Sequence, residues 1–256
     1  MPNDLKSSTV FQEGTQSIHR TISLLRTVAE ANDQGMRLYQ IAKKAGLPNT
    51  TTHRILSVLV SEDFLDYDPF SKCYYIGIEL HSLGTKAKRF AMKEKYRLCL
   101  ENIAHKTHDS VYLVLRSGFD ALCIDSIEGE SSIRIMTYNV GSRRPLGIGA
   151  GSLALLAFSS DNDIEAVLNA NRLRYKRHGD ITVNKVKTMI KNTRKFGFVF
   201  NEGTYMKGIN GVGVPLYDNK GEITAAISVA SISERINFAR AKKITKLIKS
   251  EISLIR

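Results

Sequence analysis

Apolar residues in the first quarter of the chain recur at helical spacing, and turn-forming residues interrupt them twice. Ile18, Ile22, Leu25, Val28 and Ala29 form one stripe, which predicts a helix from Ser17 with that face inward. Asn32, Asp33 and Gly35 end it. Leu38, Ile41, Ala42 and Ala45 predict a short second helix over residues 39–45, with Gly46 as its C-terminal stop. Asn49 is a candidate N-cap for a third helix over residues 50–62, with Ile55, Leu56, Leu59 and Val60 inward. The period then drops to two. "FLDYDPFSKCYYIG" reads as two short strands joined across Asp68, Pro69 and Ser71.

Helical and basic sequence follows from residue 79, with a break expected near Gly84. "SVYLVLRSG", "DALCIDSIEG" and "SSIRIMTYNVG" then read as three strands separated by glycines or polar residues, as antiparallel connections require. "GSLALLAF", "DIEAVLNANR" and "VNKVKTMIKNTRKFG" are helical. In the late hairpin, Val212, Val214 and Leu216 share one face, as do Ile223, Ala225, Ile227 and Val229, with "DNKG" as the turn. The last helix turns Phe238, Ala241, Ile244, Ile248 and Ile252 inward and Lys242, Lys243, Lys246 and Lys249 outward. The pattern predicts an α+β chain: a disordered arm (1–16), three helices and a hairpin (17–78), a linker helix (79–91), and a second domain with an antiparallel sheet (92–256).

Composition narrows the class. The chain has 256 residues, 43% hydrophobic, which allows one large domain or two ordinary ones. No run approaches eighteen consecutive apolar residues, and the polar start lacks the apolar core of a secretory signal. Cys73, Cys99 and Cys123 are scattered, and the six histidines show no metal-ligand spacing. These features predict a cytoplasmic protein with reduced thiols, no metal, no cofactor and no membrane partner. The net charge of +12 is unevenly placed: residues 1–80 carry eight Lys/Arg against nine Asp/Glu. Nucleic-acid binding by the N-terminal part must therefore rest on motif rather than on bulk charge.

A motif is present. Two helices around "AGLPNTTTHR", followed by a hairpin, are the parts of a winged helix-turn-helix, whose last helix enters the major groove by its N-terminal end. That end carries Asn49, Thr50, Thr51, Thr52, His53 and Arg54. Short hydroxyls and amides allow close approach and can bond phosphates or base edges, and Arg54 suits a guanine or a phosphate. Lys43, Lys44 and Lys72 are candidate backbone contacts.

"RPLGIGAGSLALLAF" raises a second question, because glycines stand at 147, 149 and 151. The third comes one place too early for G-x-G-x-x-G, and no acid stands at 169–172, about twenty residues on. Neither a P-loop nor a nucleophile elbow is present, and Ser152 has no His–Asp pattern to activate it. Two readings remain: a structural turn, or a loop whose free N–H groups at a helix start hold an anion. That preference is worth about 0.3–1 kcal/mol at a surface and more when partly buried.

"SIHRTISLLRTVAE", "LYQIAKKAGLPNTTTHRILSVLVSEDFLDYDP", "YYIGIELHSLG", "GSRRPLGIGAGSLALLAF" and "FGFVFNEGTYMKGINGVGVPLYDNKGEITAAISVA" together resemble the IclR family of bacterial transcriptional regulators, over nearly the whole chain from Ser17. Tyr39 departs from the Ser or Thr common there, so a capping hydroxyl is missing. The resemblance implies a winged helix-turn-helix on a GAF/profilin-like antiparallel sheet flanked by helices. It also implies operator DNA as partner, a homodimer or dimer of dimers, and a small organic acid, aromatic acids included, as effector. The residues it implies for the effector are Gly149, Ala150, Gly151, Ser152, Asn201, Ile209, Gly211 and Ser228. Asn201 stands where relatives often have Asp, which removes a repulsive charge from an anion's surroundings. Gly211 stands where they often have Cys, which predicts room for more than a two- or three-carbon acid. Two rivals are a constitutive DNA-binding regulator whose second domain only dimerises, and a small-molecule enzyme.

Overall fold

The computed structural model describes residues 15–86, 91–131 and 138–255. The chain forms two compact units, Met1–Lys88 and Arg89–Arg256.

The first unit contains α1 (Gln16–Ala29), a 3-10 turn (Asn32–Gln34), β1 (Met36–Arg37), α2 (Leu38–Ala45), α3 (Asn49–Ser61), β2 (Leu65–Asp68), β3 (Cys73–Ile76) and α4 (Ile78–Thr85). Leu24, Val28, Ile41, Leu56, Leu59 and Leu65 fill its core. The turn between α2 and α3 is a Schellman motif. Gly46 takes a left-handed φ of 66°, its N–H donates to Lys43 O, and Leu47 N–H donates to Ala42 O at 3.0 Å. The hydroxyl missing at Tyr39 is replaced: Gln40 Oε1 accepts the Arg37 N–H at 3.0 Å. At the hairpin, Asp68 accepts the N–H groups of Phe70 and Ser71, which turns the chain between β2 and β3.

Two expectations need correction, and one strand escapes the pattern. The inward face of α1 is Leu24, Thr27 and Val28, while Ile18 is 59% exposed and Ile22 and Ala29 also face solvent. Both sets have helical spacing, but α2 and α3 can cover only one of them. The N-cap of α3 is Pro48, not Asn49, and no side chain caps it. Finally β1, too short to show a period, pairs antiparallel with β3 and makes a three-stranded sheet, β1-β3-β2.

The second unit contains α5 (Ala91–Thr107), β4 (Ser110–Ser117), β5 (Asp120–Ile127), β6 (Arg143–Pro145), α6 (Ala150–Ala157), α7 (Asp161–Tyr175), α8 (Val183–Phe196), β7 (Val199–Glu202), β8 (Ile209–Tyr217), β9 (Ile223–Ile232) and α9 (Phe238–Ser253). The strands form one antiparallel sheet in the order β6-β5-β4-β9-β8-β7. The strand expected over 131–141 falls largely on residues 132–137, outside the described residues.

Alternation divides the sheet. Val111, Leu113, Val212, Val214, Ile227 and Val229 face α5 and α9. Tyr112, Val114 and Ala226 face α6, α7 and α8. Both faces are thus covered, and β4 is buried at six successive positions.

Gly151 through Ala157 of α6 are all buried, as expected for a helix that is apolar all round. It lies close on the sheet because β8 offers glycines there. A Cβ on Gly213 would stand 2.3 Å from Ala150 O. One on Gly211 would stand 3.0 Å from the Ala150 Cβ. A side chain at Gly211 would therefore meet Ala150, so the missing side chain there also serves the close seating of α6.

Candidate functional site

The first candidate surface is α3 and its surroundings. Asn49, Thr50, His53 and Arg54 are exposed and Thr51 is half-buried. With no side chain at the cap, the first-turn N–H groups of α3 stay free for an acceptor such as a phosphate. Thr52 differs: it is 0% exposed, and its Oγ1 donates to Pro48 O at 3.0 Å. It anchors the helix from within and cannot reach a groove, so it leaves the contact set. Lys43, Lys44 and Lys72 are exposed, and Lys44 Nζ also reaches Glu30 at 3.2 Å. A groove beside α3 is lined by Asn49, His53, Tyr67 and Lys72 together with Arg37 and Tyr39. Pattern reasoning missed the last two. The signal was available, since both residues sit at the start of a helix whose partner was already assigned.

The second candidate is a cavity of about 50 Å³ between α6 and the sheet. Gly149, Ala150, Gly151, Ser152, Asn201, Ile209, Gly211 and Ser228 all border it. Gly147 and Gly149 have φ of 100° and 83°, a region L side chains rarely adopt. Ser152 Oγ accepts the Gly147 N–H at 3.0 Å and donates to Pro145 O at 3.1 Å. Its hydroxyl is thus spent on shaping the loop. Tyr175 adds a second pin, donating to Leu146 O at 2.7 Å, and burial pushes its phenol up to about 12. The N-cap of α6 is Gly149, so no side chain occupies the first-turn N–H groups.

The remaining polar groups are also donors. Asn201 Oδ1 accepts the Thr204 N–H at 3.2 Å, which leaves its amide N–H groups to offer. Buried Ser228 supplies a hydroxyl. Sequence reasoning missed the strongest donor, Arg144, which lines the cavity beside Tyr138 and Tyr205. "SRRP" gave no sign of which arginine turns inward. Pairing of β6 with β5 decides it: Arg144 lies opposite Ala121 and is buried, whereas Arg143 is exposed. Among the described residues, no Asp or Glu lines the cavity. Nearby, His178 packs its ring 6.0 Å from Tyr205. Burial holds its pKa below the ordinary value, and Arg144, Arg174 and Arg177 lower it further. Among the described residues no group of three His, Cys, Asp or Glu could hold a metal ion. No helix among them is long and apolar enough to cross a membrane.

Two family models match the chain. One, described as the IclR helix-turn-helix domain, covers residues 17–69. The other, the IclR C-terminal domain of bacterial transcriptional regulators, covers residues 85–254. The HTH-type transcriptional regulator KipR of Bacillus subtilis is 25% identical over 93% of this chain and 95% of its own length. The HTH-type transcriptional repressor AllR of Escherichia coli is 25% identical over 89% and 84%. These relatives are regulators, not enzymes. The crystal structure of an IclR transcriptional regulator from Alicyclobacillus acidocaldarius has the same fold, with TM-score 0.77 and 23% identity over 93% of this chain and 96% of that one. An IclR homolog from Microbacterium hydrocarbonoxydans, solved with 4-hydroxybenzoate, superposes with TM-score 0.76 at 18% identity, over 93% and 99%. With both of its parts matched in order, the chain belongs to the IclR family of transcriptional regulators.

Proposed function

We propose that this regulator works in the cytoplasm as a homodimer or dimer of dimers, binds operator DNA through α3, and releases or rearranges on it when a compact organic acid enters the cavity beside α6. Asn49, Thr50, Thr51, His53 and Arg54 carry the groove contacts, with Lys43, Lys44 and Lys72 on the phosphates. Gly149, Ala150, Gly151, Asn201, Ile209, Gly211 and Ser228 surround the acid, and Ser152 keeps the loop in shape. A two-fold protein matches a palindromic operator, and the exposed Ile18 and Ile22 suit a second copy. Binding acts on DNA by linkage: the acid prefers one arrangement of the subunits, and the operator prefers another.

The observation that carries this reading is the convergence of eight residues, from three separated stretches of sequence, on one cavity that offers donors and, among the described residues, no carboxylate. Its volume has room for roughly three to five water-sized groups, which favours a compact acid. The test is to select bound fragments from the source genome with the full-length protein. A panel of short and aromatic acids is then screened for release of the best fragment by fluorescence anisotropy. Release by at least one acid is expected. Tight fragment binding that no acid alters would favour the constitutive regulator instead.

A further inference from the structure

Partly buried arginines of the second unit normally meet a carboxylate. Arg116 pairs with Asp163, Arg174 with Asp120, and Arg235 and Arg240 with Asp109. Arg144 is more deeply buried than any of these, at 8% exposure, yet its guanidinium makes no ion pair or hydrogen bond to a described residue. Its company is aromatic. The guanidinium carbon lies 3.9 Å from the Tyr138 ring centroid and 4.2 Å from that of Tyr205. Burying a charge without an opposite charge is costly, and two ring faces compensate only part of it.

The stacking also decides which part of the group stays available. With rings packed against it, the rim of N–H donors is left to act. Nη1 stands 3.5 Å from where a Cβ on Gly149 would be, at the cap of α6. The guanidinium and the free N–H groups of the α6 first turn therefore border the same space. Tyr138 is tied down by its own hydroxyl, which donates to Ala121 O at 3.0 Å. The fork is thus held in place before any ligand arrives.

We propose that Arg144 is the charge-selecting residue of the cavity. It takes a carboxylate edge-on through two N–H donors while the α6 first turn neutralises the same anion from the other side. A planar fork matches a carboxylate in a way an ammonium group would not. Among the described residues no acid lines the cavity to receive a ligand's ammonium group, and Arg144 repels one, so amino-acid zwitterions are rejected along with neutral amides. This deepens the function proposed above and rests on it.

The test uses the full-length protein at matched ionic strength. Probes are acetate, propionate, lactate and benzoate at 50 mM, the amides acetamide, propionamide, lactamide and benzamide, and glycine and alanine. Thermal midpoints are read, followed by titration of the best probe. At least one carboxylate is expected to raise the midpoint, and its amide and the amino acids are not. Arg144→Gln should lose the shift, and Arg144→Lys should weaken the apparent affinity about tenfold, with both variants keeping the wild-type circular dichroism spectrum. Tyr205→Leu, which removes a stacking face without touching the charge, covers the case where Arg144→Gln does not fold. It too should weaken carboxylate binding. An amide binding as well as its acid, an unchanged response in Arg144→Gln or, if that does not fold, in Tyr205→Leu, or no carboxylate effect on the wild type would each overturn the assignment. The two readings fail separately. Neutral probes that bind and release DNA would leave the sensor standing without its charge selection. Carboxylates that bind without altering DNA affinity would leave Arg144 standing without the sensor.

Discussion

The face of α3 and the wall of the cavity are both rows of hydrogen-bond donors, yet they are built in opposite ways. On α3 the donors are side chains on consecutive residues, from Asn49 to Arg54, exposed except for half-buried Thr51 and for Thr52, which turns inward to hold the helix. Water can satisfy them, so their presence costs the fold little. In the cavity the donors are buried, come from separate elements, and include backbone amides that no side chain caps. The first surface is tuned by changing side chains. The second depends on how closely the backbone of α6 lies on β8. Substitutions should therefore separate into those that alter DNA affinity without touching stability and those that do the reverse.

The largest expected effect lies on the cavity side. Gly213→Ala places a Cβ 2.3 Å from Ala150 O and 2.7 Å from its carbonyl carbon, and backbone cannot move aside as a side-chain tip can. We expect a loss of about 3 kcal/mol, at the upper end for overpacking, measured by urea denaturation. A loss below about 1 kcal/mol would mean that α6 is not held against the sheet as described. Arg54→Ala is the matching change on the other surface. It should weaken operator binding by about 1–3 kcal/mol, roughly fivefold to more than a hundredfold, with an unchanged thermal midpoint. If anisotropy shows full affinity in that variant, Arg54 does not touch DNA.

What could be read from sequence follows the same division. The helix-turn-helix is local: its helices, the Gly46 turn and residues 49–54 are consecutive, so periodicity and turn chemistry reach them. Even there, the pattern could not choose between the two apolar stripes of α1, because the choice depends on where α2 and α3 lie. Thr52 was misplaced for a related reason. A run of three threonines looks uniform in sequence, and only the helical phase set by Leu56 and Leu59 turns the third one inward. In the second unit, the hairpin of β8 and β9 was legible by alternation. The wall made by Arg144, Tyr138 and Tyr205 was not, since it joins residues about 60 positions apart whose types are ordinary on a surface. Gly211 was legible as a missing side chain, but not as the seat of Ala150.

A finer test pits neighbours on α3 against each other. Thr52→Ala removes a buried hydroxyl that donates to Pro48 O, and should cost about 1–2 kcal/mol of stability. DNA affinity of the folded protein should hardly change. Thr51→Ala, one residue earlier and half-buried, should stay within about 0.5 kcal/mol in stability. It should instead weaken DNA binding. The reverse outcome would rotate the helix by one residue relative to the groove.

The smallest expected effect is a pH dependence at the edge of the cavity. His178 has its pKa held below 6.5, first by burial and then by Arg144, Arg174 and Arg177. In the unfolded chain these causes vanish, so below 6.5 the unfolded state binds the proton more readily. Stability is then at its full value above 6.5 and declines as pH falls from there toward the lower folded pKa. Asp163 and Glu251 act in the same direction, but their pKa values lie below 3.8 and 4.5, held down by Arg116 and by Lys106. Their contribution begins to fade only at more acidic pH, near the ordinary carboxylate values. The thermal midpoint should therefore slope gently between pH 7 and 5.5, and His178→Asn should flatten that slope while leaving the acid limb intact. A carboxylate on Arg144 would cancel part of the repulsion on the imidazole. Saturation with the best acid should then move the His178 imidazole resonance, followed by NMR titration, to a higher midpoint. An unmoved midpoint would place the anion away from Arg144, and with it the charge selection that sets the cavity apart from the face of α3.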